Sequence, residues 1–350
     1  MNALLLTTLS MLTGPPPVEV ENPSRFHLVL FQVVDDESRP LKTLGDGARH
    51  RLKLAHGHHW IDARSGTTRV RLPVPLPRRA RLPDVLRLKV VAPPRLVLPI
   101  QTTADDWGWV PAGPALRGDV IGVGQEDERP ARVENVSGFW IRRREITNAD
   151  YCGFLNGQPK VDPTWINLDS RKVDIRRDAT KDRWVTGSPR LPVVTVSWFG
   201  ADAYCKWRTR ITKRTHRLPT ETEWEKAARG PESFVYGYGN IYRNAGANQE
   251  SGRLRIVGTF SANGFGLYDV TGNAYEWVQN VFDRDALRHA VPRRLAALDD
   301  EGIPRHRVLR GGSFVLDGMY LRNSFRMCHR PGVQADDFGF RVVMEEGIAK

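Results

Sequence analysis

The stretch LPTETEWEKAARG, residues 218–230, leaves little choice of local structure. Thr220 stands at a helix N-cap, Glu223 follows three residues later to complete a capping box, and Gly230 supplies the stop. The helix between them has roughly two and a half turns. Two more helices are predicted upstream: one capped by Thr147 and carrying Tyr151, Phe154 and Leu155, and one within VSWFGADAYCKWRTRIT. In the latter, Phe199, Ala203, Trp207 and Ile211 lie four apart and predict one apolar helical face. Beyond Gly230 the pattern breaks into short strands and polar loops, so residues 106–350 are expected to form an α+β unit with few helices.

The first third reads differently. FHLVLFQVV, HRLKLAH, TTRVRLPVPLP and VLRLKVVAPPRLVLPI are runs of strand formers, and prolines at 73, 75, 77, 93, 94 and 99 exclude helices and favour sheet edges. A small all-β, sandwich-like domain is expected over residues 25–105, after a leader at 1–24. HGHHWID brings His56, His58, His59 and Asp62 close in sequence, but their spacing in a predicted turn does not aim three side chains at one point, so a solvated loop is expected.

The net charge of +12 is unevenly spread, with fifteen basic and seven acidic residues between positions 25 and 105. A basic surface attracts anions in general, yet no nucleic-acid motif or long basic run accompanies it, so nucleic acid is not an expected partner. Cys152, Cys205 and Cys328 form neither a CxxC nor a metal-ligand spacing, which fits a reducing, cytoplasmic setting. Against that, ALLLTTLSMLTG has the length of a signal-peptide apolar core, but it lacks a basic flank, since the first basic residue is Arg25. No run of eighteen apolar residues predicts a transmembrane helix.

Six ordered segments then carry a resemblance: WVPAGP, FWIRRREITNADYCGFLN, LPVVTVSWFGADAYCKW, RLPTETEWEKAARG, NGFGLYDVTGNAYEWVQN, and RVLRGGSF with its trailing arginines and GFRVV. Together they resemble the formylglycine-generating enzyme family, the sulfatase-modifying-factor domain, from Trp107 to the C-terminus. The resemblance implies an α+β, C-type-lectin-like fold. It covers copper-dependent formylglycine generators, iron-dependent sulfoxide synthases, a pyoverdine-maturing oxidase, surface lipoproteins and the bacterial variable proteins of diversity-generating retroelements, so function rests on the site.

In the formylglycine generators, two cysteines three and eight residues after the serine of the Gly-Gly-Ser turn bind copper through soft thiolates. Counted from Ser313, those positions are Leu316 and Leu321, an alignment on the arginines moves the second to Arg322, and residues 314–327 contain no cysteine, so neither register offers a thiol. The synthases' H-x-x-x-H-x-E triplet is also missing, so neither copper nor iron is expected and no catalytic residue is assigned. The expected function is a non-catalytic ligand- or protein-binding module, on the model of a retroelement variable protein. The alternative is a metal- or oxygen-dependent oxidoreductase with a non-cysteine site.

On this reading the glycines and arginines of residues 307–343 form a frame. The ligand-facing residues between them are Leu316, Asp317, Met319, Tyr320, Asn323, Phe325, Met327, His329, Gln334 and Asp336. The ligand is a protein or small molecule of unknown identity. By resemblance, LYDVTGNAYEW implies at most one structural Ca²⁺, held by Asp269, Gly272, Ala274 and Glu276 through hard oxygen donors.

Overall fold

The computed structural model describes residues 18–22, 26–55, 57–65, 68–76, 80–81, 86–89, 106–289, 295–299 and 301–345. The apolar N-terminal stretch and His56 lie outside them. The first eight strands are β1 (Val18–Glu21), β2 (His27–Val34), β3 (Glu37–Gly45), β4 (Arg49–Leu52), β5 (Gly57–Ser65), β6 (Thr68–Leu76), β7 (Ala80–Arg81) and β8 (Leu86–Lys89). All but β7 build a four-stranded sheet in the order β3-β2-β5-β6 and a three-stranded sheet in the order β4-β1-β8. Alternate residues such as Val18, Leu28, Leu30, Ile61, Leu72 and Leu88 close one apolar core between the sheets. Pro73 and Pro75 pair only with β5, on the edge strand β6, where a missing N–H breaks no ladder.

Val18–Glu21, within the stretch expected as a leader, forms a strand whose Val18 and Val20 are buried in the core. One expectation is corrected here. The histidine segment is strand β5, not a solvated loop. His59 and Asp62 are buried, and Asp62 is held by Arg64 at 2.6 Å and Arg69 at 2.5 Å.

The larger unit begins with β9 (Trp107–Val110), β10 (Gly113–Arg117), β11 (Ala131–Val136) and β12 (Phe139–Arg142). Next come α1 (Asn148–Asn156), β13 (Arg176–Asp178), β14 (Arg183–Val185), α2 (Trp198–Thr212), β15 (His216–Arg217) and α3 (Glu221–Arg229). The chain continues through β16 (Tyr275–Val281), β17 (Arg307–Arg310), β18 (Met327–His329), β19 (Phe338–Phe340) and β20 (Val343–Met344). Two four-stranded sheets, β15-β20-β12-β9 and β18-β17-β16-β19, pack around Trp107, Tyr151, Phe154, Tyr204, Trp277 and Phe340. No helix among the described residues is long and apolar enough to cross a membrane, which says nothing of a β-barrel.

The helix starts form as the sequence dictates. Thr147 and Thr220 both make reciprocal capping boxes, and Gly230 ends α3 at φ +70°. The face of α2 differs from expectation. Phe199 and Ile211 are exposed, while Ala201, Tyr204 and Cys205 are buried. Tyr204 wins the inward position because its ring packs on Tyr151, Phe154 and Phe340, a larger contact than the fourfold stripe offers.

The two units touch at defined points. Strand β7 pairs in parallel with β11, and Arg71 donates from Nη1 to the Gly264 carbonyl at 2.6 Å. The turn between β2 and β3 reaches the loop at 239–243 through Asp36, whose carboxylate accepts from the Asn240 N–H at 2.6 Å and the Ile241 N–H at 3.2 Å.

Candidate functional site

Strand β17 delivers Arg310 and then turns at once. Gly311 and Gly312 have φ of +92° and +72°, a left-handed pair that other residues adopt only with strain. A side chain at 312 would also collide with Leu321. Ser313 after the turn is fully buried, and its Oγ donates to Asp337 Oδ2 at 2.7 Å, which makes it a tie across the turn.

The arginines form the frame. Arg310 meets Glu225 at 2.8 Å and Glu221 at 3.3 Å, and Arg326 grips Glu221 with Nε at 2.6 Å and Nη2 at 3.1 Å. Arg322 pairs with Glu128 at 2.5 and 2.9 Å, and Arg341 pairs with Glu276 at 2.6 Å through both Nε and Nη2. All four guanidiniums are buried with a carboxylate, as buried charges must be. Arg330, by contrast, is exposed. Burial pushes the Glu221 carboxyl upward, but the charges of Arg326, Arg117 and Arg310 outweigh it and hold the group well below the usual range.

Beside this frame lies an open groove of about 600 Å³, lined by Val123, Tyr236, Tyr242, Asn244, Glu250, Asp317, Gly318, Met319 and Arg322. One wall is the turn at 317–320, and the other is the loop at 236–244. Tyr236 stacks on Tyr238 with centroids 5.4 Å apart and meets Tyr242 at 6.0 Å and 51°. Val123, Met319 and Tyr242 are 55%, 56% and 37% exposed, so the groove presents apolar and aromatic surface to solvent. The tyrosines were not singled out in the sequence. The run YGYGNIY, alternating aromatic with glycine in a loop, was the available signal.

The ten expected ligand-facing residues divide into groups. Asp317 and Met319 line the groove, Leu316 packs partly buried below it, and Tyr320 is exposed nearby. Met327 and His329 sit half-buried on β18. Gln334 Nε2 donates to the Pro163 carbonyl at 2.9 Å, and Asp336 accepts from Ser170 Oγ at 2.6 Å, so these two are tied to the 163–170 segment instead. Asn323 and Phe325 are corrections. Asn323 is fully buried because its N–H and Nδ2 donate to the carbonyls of Val235 and Phe234 and its own carbonyl accepts from Arg310. Phe325 is buried edge-on beneath Tyr320, with ring centroids 5.2 Å apart.

Of the expected calcium ligands, Glu276 and Asp269 make hydrogen bonds within the protein. Glu276 Oε1 accepts from Arg341, and Oε2 accepts from both Arg341 and the Trp224 indole N–H at 2.6 Å, so both oxygens are committed. Asp269 lies nearby with Oδ2 accepting from the Gly258 N–H, and burial raises its carboxyl to about 6. Fully buried Glu145 is raised well above the ordinary range, by burial first and then by the charges of Asp269 and Glu276. Among the described residues no cluster of three or more His, Cys, Asp or Glu has metal-binding geometry. Of the set Asp269, Gly272, Ala274 and Glu276, it is Glu276 whose carboxylate oxygens are both taken up by Arg341 and Trp224 in this arrangement.

Cysteine chemistry is equally muted. Cys152 and Cys205 are buried, and burial raises all three thiols. Cys328 is half-exposed on β18, 3.7 Å from His306 Nδ1.

Comparison with known proteins agrees with this architecture. A family model described as the sulfatase-modifying factor enzyme 1-like domain matches residues 96–346. The serine/threonine-protein kinase Pkn1 of Chlamydia trachomatis is 32% identical over 232 residues, 64% of this chain and 36% of the kinase, so the chain spans about a third of that relative's length. The inactive C-alpha-formylglycine-generating enzyme 2 of Mus musculus is 30% identical over 314 residues, 77% of this chain and 95% of that protein. Among solved structures, PvdO from Pseudomonas aeruginosa is similar with a TM-score of 0.54 and 27% identity, covering 69% of this chain and 94% of PvdO.

Proposed function

The chain belongs, through residues 96–346, to the sulfatase-modifying factor enzyme 1-like family, and from that membership we propose that it is a non-catalytic binding module whose recognition face is the groove between the loop at 236–244 and the turn at 317–320. One observation carries this reading. Counted from Ser313, Leu316 and Leu321 stand where the resemblance implies two metal-binding thiols, and both pack with Val235 and Tyr236 in one apolar cluster. Hydrocarbon at both positions supplies no soft donor for copper. It packs against Tyr236, which lines the groove together with the exposed Tyr242, Val123 and Met319, and aromatic and aliphatic walls suit a recognition site. The mouse relative named as inactive is compatible with this reading.

The test is direct. The purified chain, supplied with Cu(I) or Fe(II), a thiol reductant and a cysteine-containing peptide, is expected to consume no oxygen above the metal-only control and to yield no hydrazide-reactive aldehyde. Oxygen uptake that depends on Ser313 or Cys328 would replace the binding module with an oxidoreductase.

A further inference from the structure

A second cleft opens where the start of α1 meets the loop at 256–259, and it shares no lining residue with the recognition groove. It holds about 570 Å³, a volume in the range of small-molecule sites, and its walls include Arg142, Arg144, Arg190, Asp106, Asp150 and Ile256. We infer that this cleft binds a phosphate monoester whose other end carries hydroxyl or ammonium groups.

Charge is unevenly used within the cleft. Three arginines against two aspartates leave a balance of +1. Arg142, at the end of β12, takes both acids, Asp106 at 3.3 Å and Asp150 at 3.2 Å. Half-buried Arg144 and exposed Arg190 are left with no hydrogen bond or ion pair from their guanidiniums among the described residues. The Arg144 charge is felt by Asp269, but the bond that Asp269 Oδ2 accepts there comes from the Gly258 N–H. Two guanidiniums with free N–H groups suit a phosphate, since their forked donors match its oxygens and a monoester carries nearly two negative charges at neutral pH. The acids set the rest of the ligand. Asp106 and Asp150 each use Oδ2 toward Arg142 and keep Oδ1 without a bond among the described residues. A carboxylate only accepts, so the group that meets these oxygens must donate. A nucleic-acid strand is disfavoured for the same reason, because its next phosphate would face the two acids.

The cleft is also built in advance. The Arg144 guanidinium carbon lies 4.6 Å from the centroid of the Tyr268 ring. Gly258, at φ +79°, admits Arg144 so closely that a Cβ there would stand 2.7 Å from its Nε. Backbone bonds join the walls, from the Val257 N–H to the Arg190 carbonyl at 3.0 Å and from the Ala149 N–H to the Pro189 carbonyl at 3.2 Å. Ile256, 42% exposed, offers apolar surface to the carbon atoms between the two ends of the ligand. A preformed site loses less entropy on binding.

Isothermal titration of the full chain with glycerol 3-phosphate and phosphoethanolamine tests this, against glycerol, ethyl phosphate, inorganic phosphate and an oligothymidylate. The two donor-bearing monoesters are expected to saturate one site, with ethyl phosphate and inorganic phosphate about fivefold weaker, the scale of one lost hydrogen bond, and glycerol not bound. Arg144→Gln should weaken glycerol 3-phosphate about tenfold, and the more exposed Arg190→Gln about threefold, as for a charge-assisted bond and a solvent-screened pair. Arg190→Gln removes no side-chain bond among the described residues, so its effect is not one of folding. Arg183→Gln, exposed on β14, should leave binding unchanged. A phosphoserine peptide separates the two sources of the same chemistry: tighter binding than glycerol 3-phosphate assigns a phosphorylated side chain, weaker binding a free small molecule, and either upholds the phosphate site. Equal affinity of wild type and both cleft variants, or glycerol binding as well as its phosphate, overturns the site. Ethyl phosphate or inorganic phosphate binding as tightly as glycerol 3-phosphate overturns the donor-bearing end, and tighter binding of the oligothymidylate overturns the monoester. If no phosphate saturates at millimolar concentration, the cleft is not a phosphate site.

Discussion

Arg326 holds Glu221 from 105 residues away, Nε on Oε1 at 2.6 Å and Nη2 on Oε2 at 3.1 Å, both side chains buried. Glu221 also receives Arg117 at 3.0 Å and Arg310 at 3.3 Å, so one carboxylate at the first turn of α3 anchors three separate segments. The turn at 317–320 is thereby hung on α3 from both sides, by Arg310 before it and Arg326 after it.

Arg326→Ala should therefore cost about 3–5 kcal/mol in denaturant unfolding, because it leaves a buried, partly uncompensated carboxylate. Arg330→Ala, at an exposed site on the same stretch, should change stability by no more than about 0.5 kcal/mol. The Glu221 carboxyl sits below its unfolded value, so its contribution is present above about pH 4.3 and is lost as the pH falls through the folded value. Arg326→Ala should accordingly flatten the acid limb of the stability curve. Equal effects of the two substitutions would remove Arg326 from the frame.

Thr220→Ala should cost about 1 kcal/mol. Its Oγ accepts the Glu223 N–H at 3.2 Å while Glu223 Oε2 accepts the Thr220 N–H at 2.8 Å, so two orphan donors of α3 lose their arrangement. Thermal unfolding measures this, and an unchanged melting temperature would mean that the cap contributes nothing.

Glu276→Gln should destabilise the protein by the same amount in calcium and in chelator. The carboxylate receives two bonds from Arg341 and one from Trp224, so its loss leaves a buried guanidinium half-paired whatever the metal content. A loss seen only in calcium would place a metal at Glu276 and contradict the ion pair.

Lys226 gives a pH dependence of the same sense as Glu221, in a higher pH window. It is buried, with Nζ donating to the carbonyls of Pro111 at 2.6 Å and Gly113 at 3.1 Å, and burial pulls its ammonium down to about 7. Between about pH 7 and 10.4 the unfolded chain binds more protons than the folded one, so stability rises with pH across that window. Lys226→Met should remove much of this slope in urea titrations at pH 7, 8 and 9, and an unaltered slope would assign the dependence to other groups.

Elements governed by their nearest neighbours in sequence were legible from it. Thr147, Thr220 and Gly230 act within three or four residues, so the helix ends followed directly. The frame arginines were legible as a class, but their partners Glu221, Glu225 and Glu128 were not, since those pairs span 85 to 194 residues. Spacing misplaced the inward face of α2, because a fourfold apolar stripe was outweighed by the packing of Tyr204 on three rings from two other segments, α1 and β19. Histidine polarity hid β5 in the same way, because burial of His59 is decided by the facing sheet rather than by its own side chain. The groove needed two loops that no local pattern joins. Asp317 and Met319 were expected at a ligand surface, while Tyr236 and Tyr242 enter from a loop about 80 residues earlier.

The last prediction concerns how that earlier loop is held. Asp36 adopts φ +63° at the tip of the β2–β3 turn, and its side chain is nearly closed to solvent. Its carboxylate accepts the amides of Asn240 and Ile241 and faces Arg243 at 3.3 Å, while Gly239 comes close enough that a side chain there would strike it. Bonds to a charged acceptor contribute about 1.5–3 kcal/mol, and here they hold the tip of a loop whose other ties include Val235 N–H to Asn240 Oδ1 and Gly237 N–H to Thr271 Oγ1. Asp36→Ala should thus leave the core melting transition nearly in place but raise hydrogen exchange at Asn240 and Ile241 by about tenfold or more, the equivalent of about 1.4 kcal/mol of local opening. Asp36→Asn keeps an acceptor without the charge and should fall between wild type and Ala. If exchange at these two amides is unchanged in Asp36→Ala, the N-terminal sheet does not brace the groove, and the loop holds its shape through its own hydrogen bonds and the rings of Tyr236, Tyr238 and Tyr242.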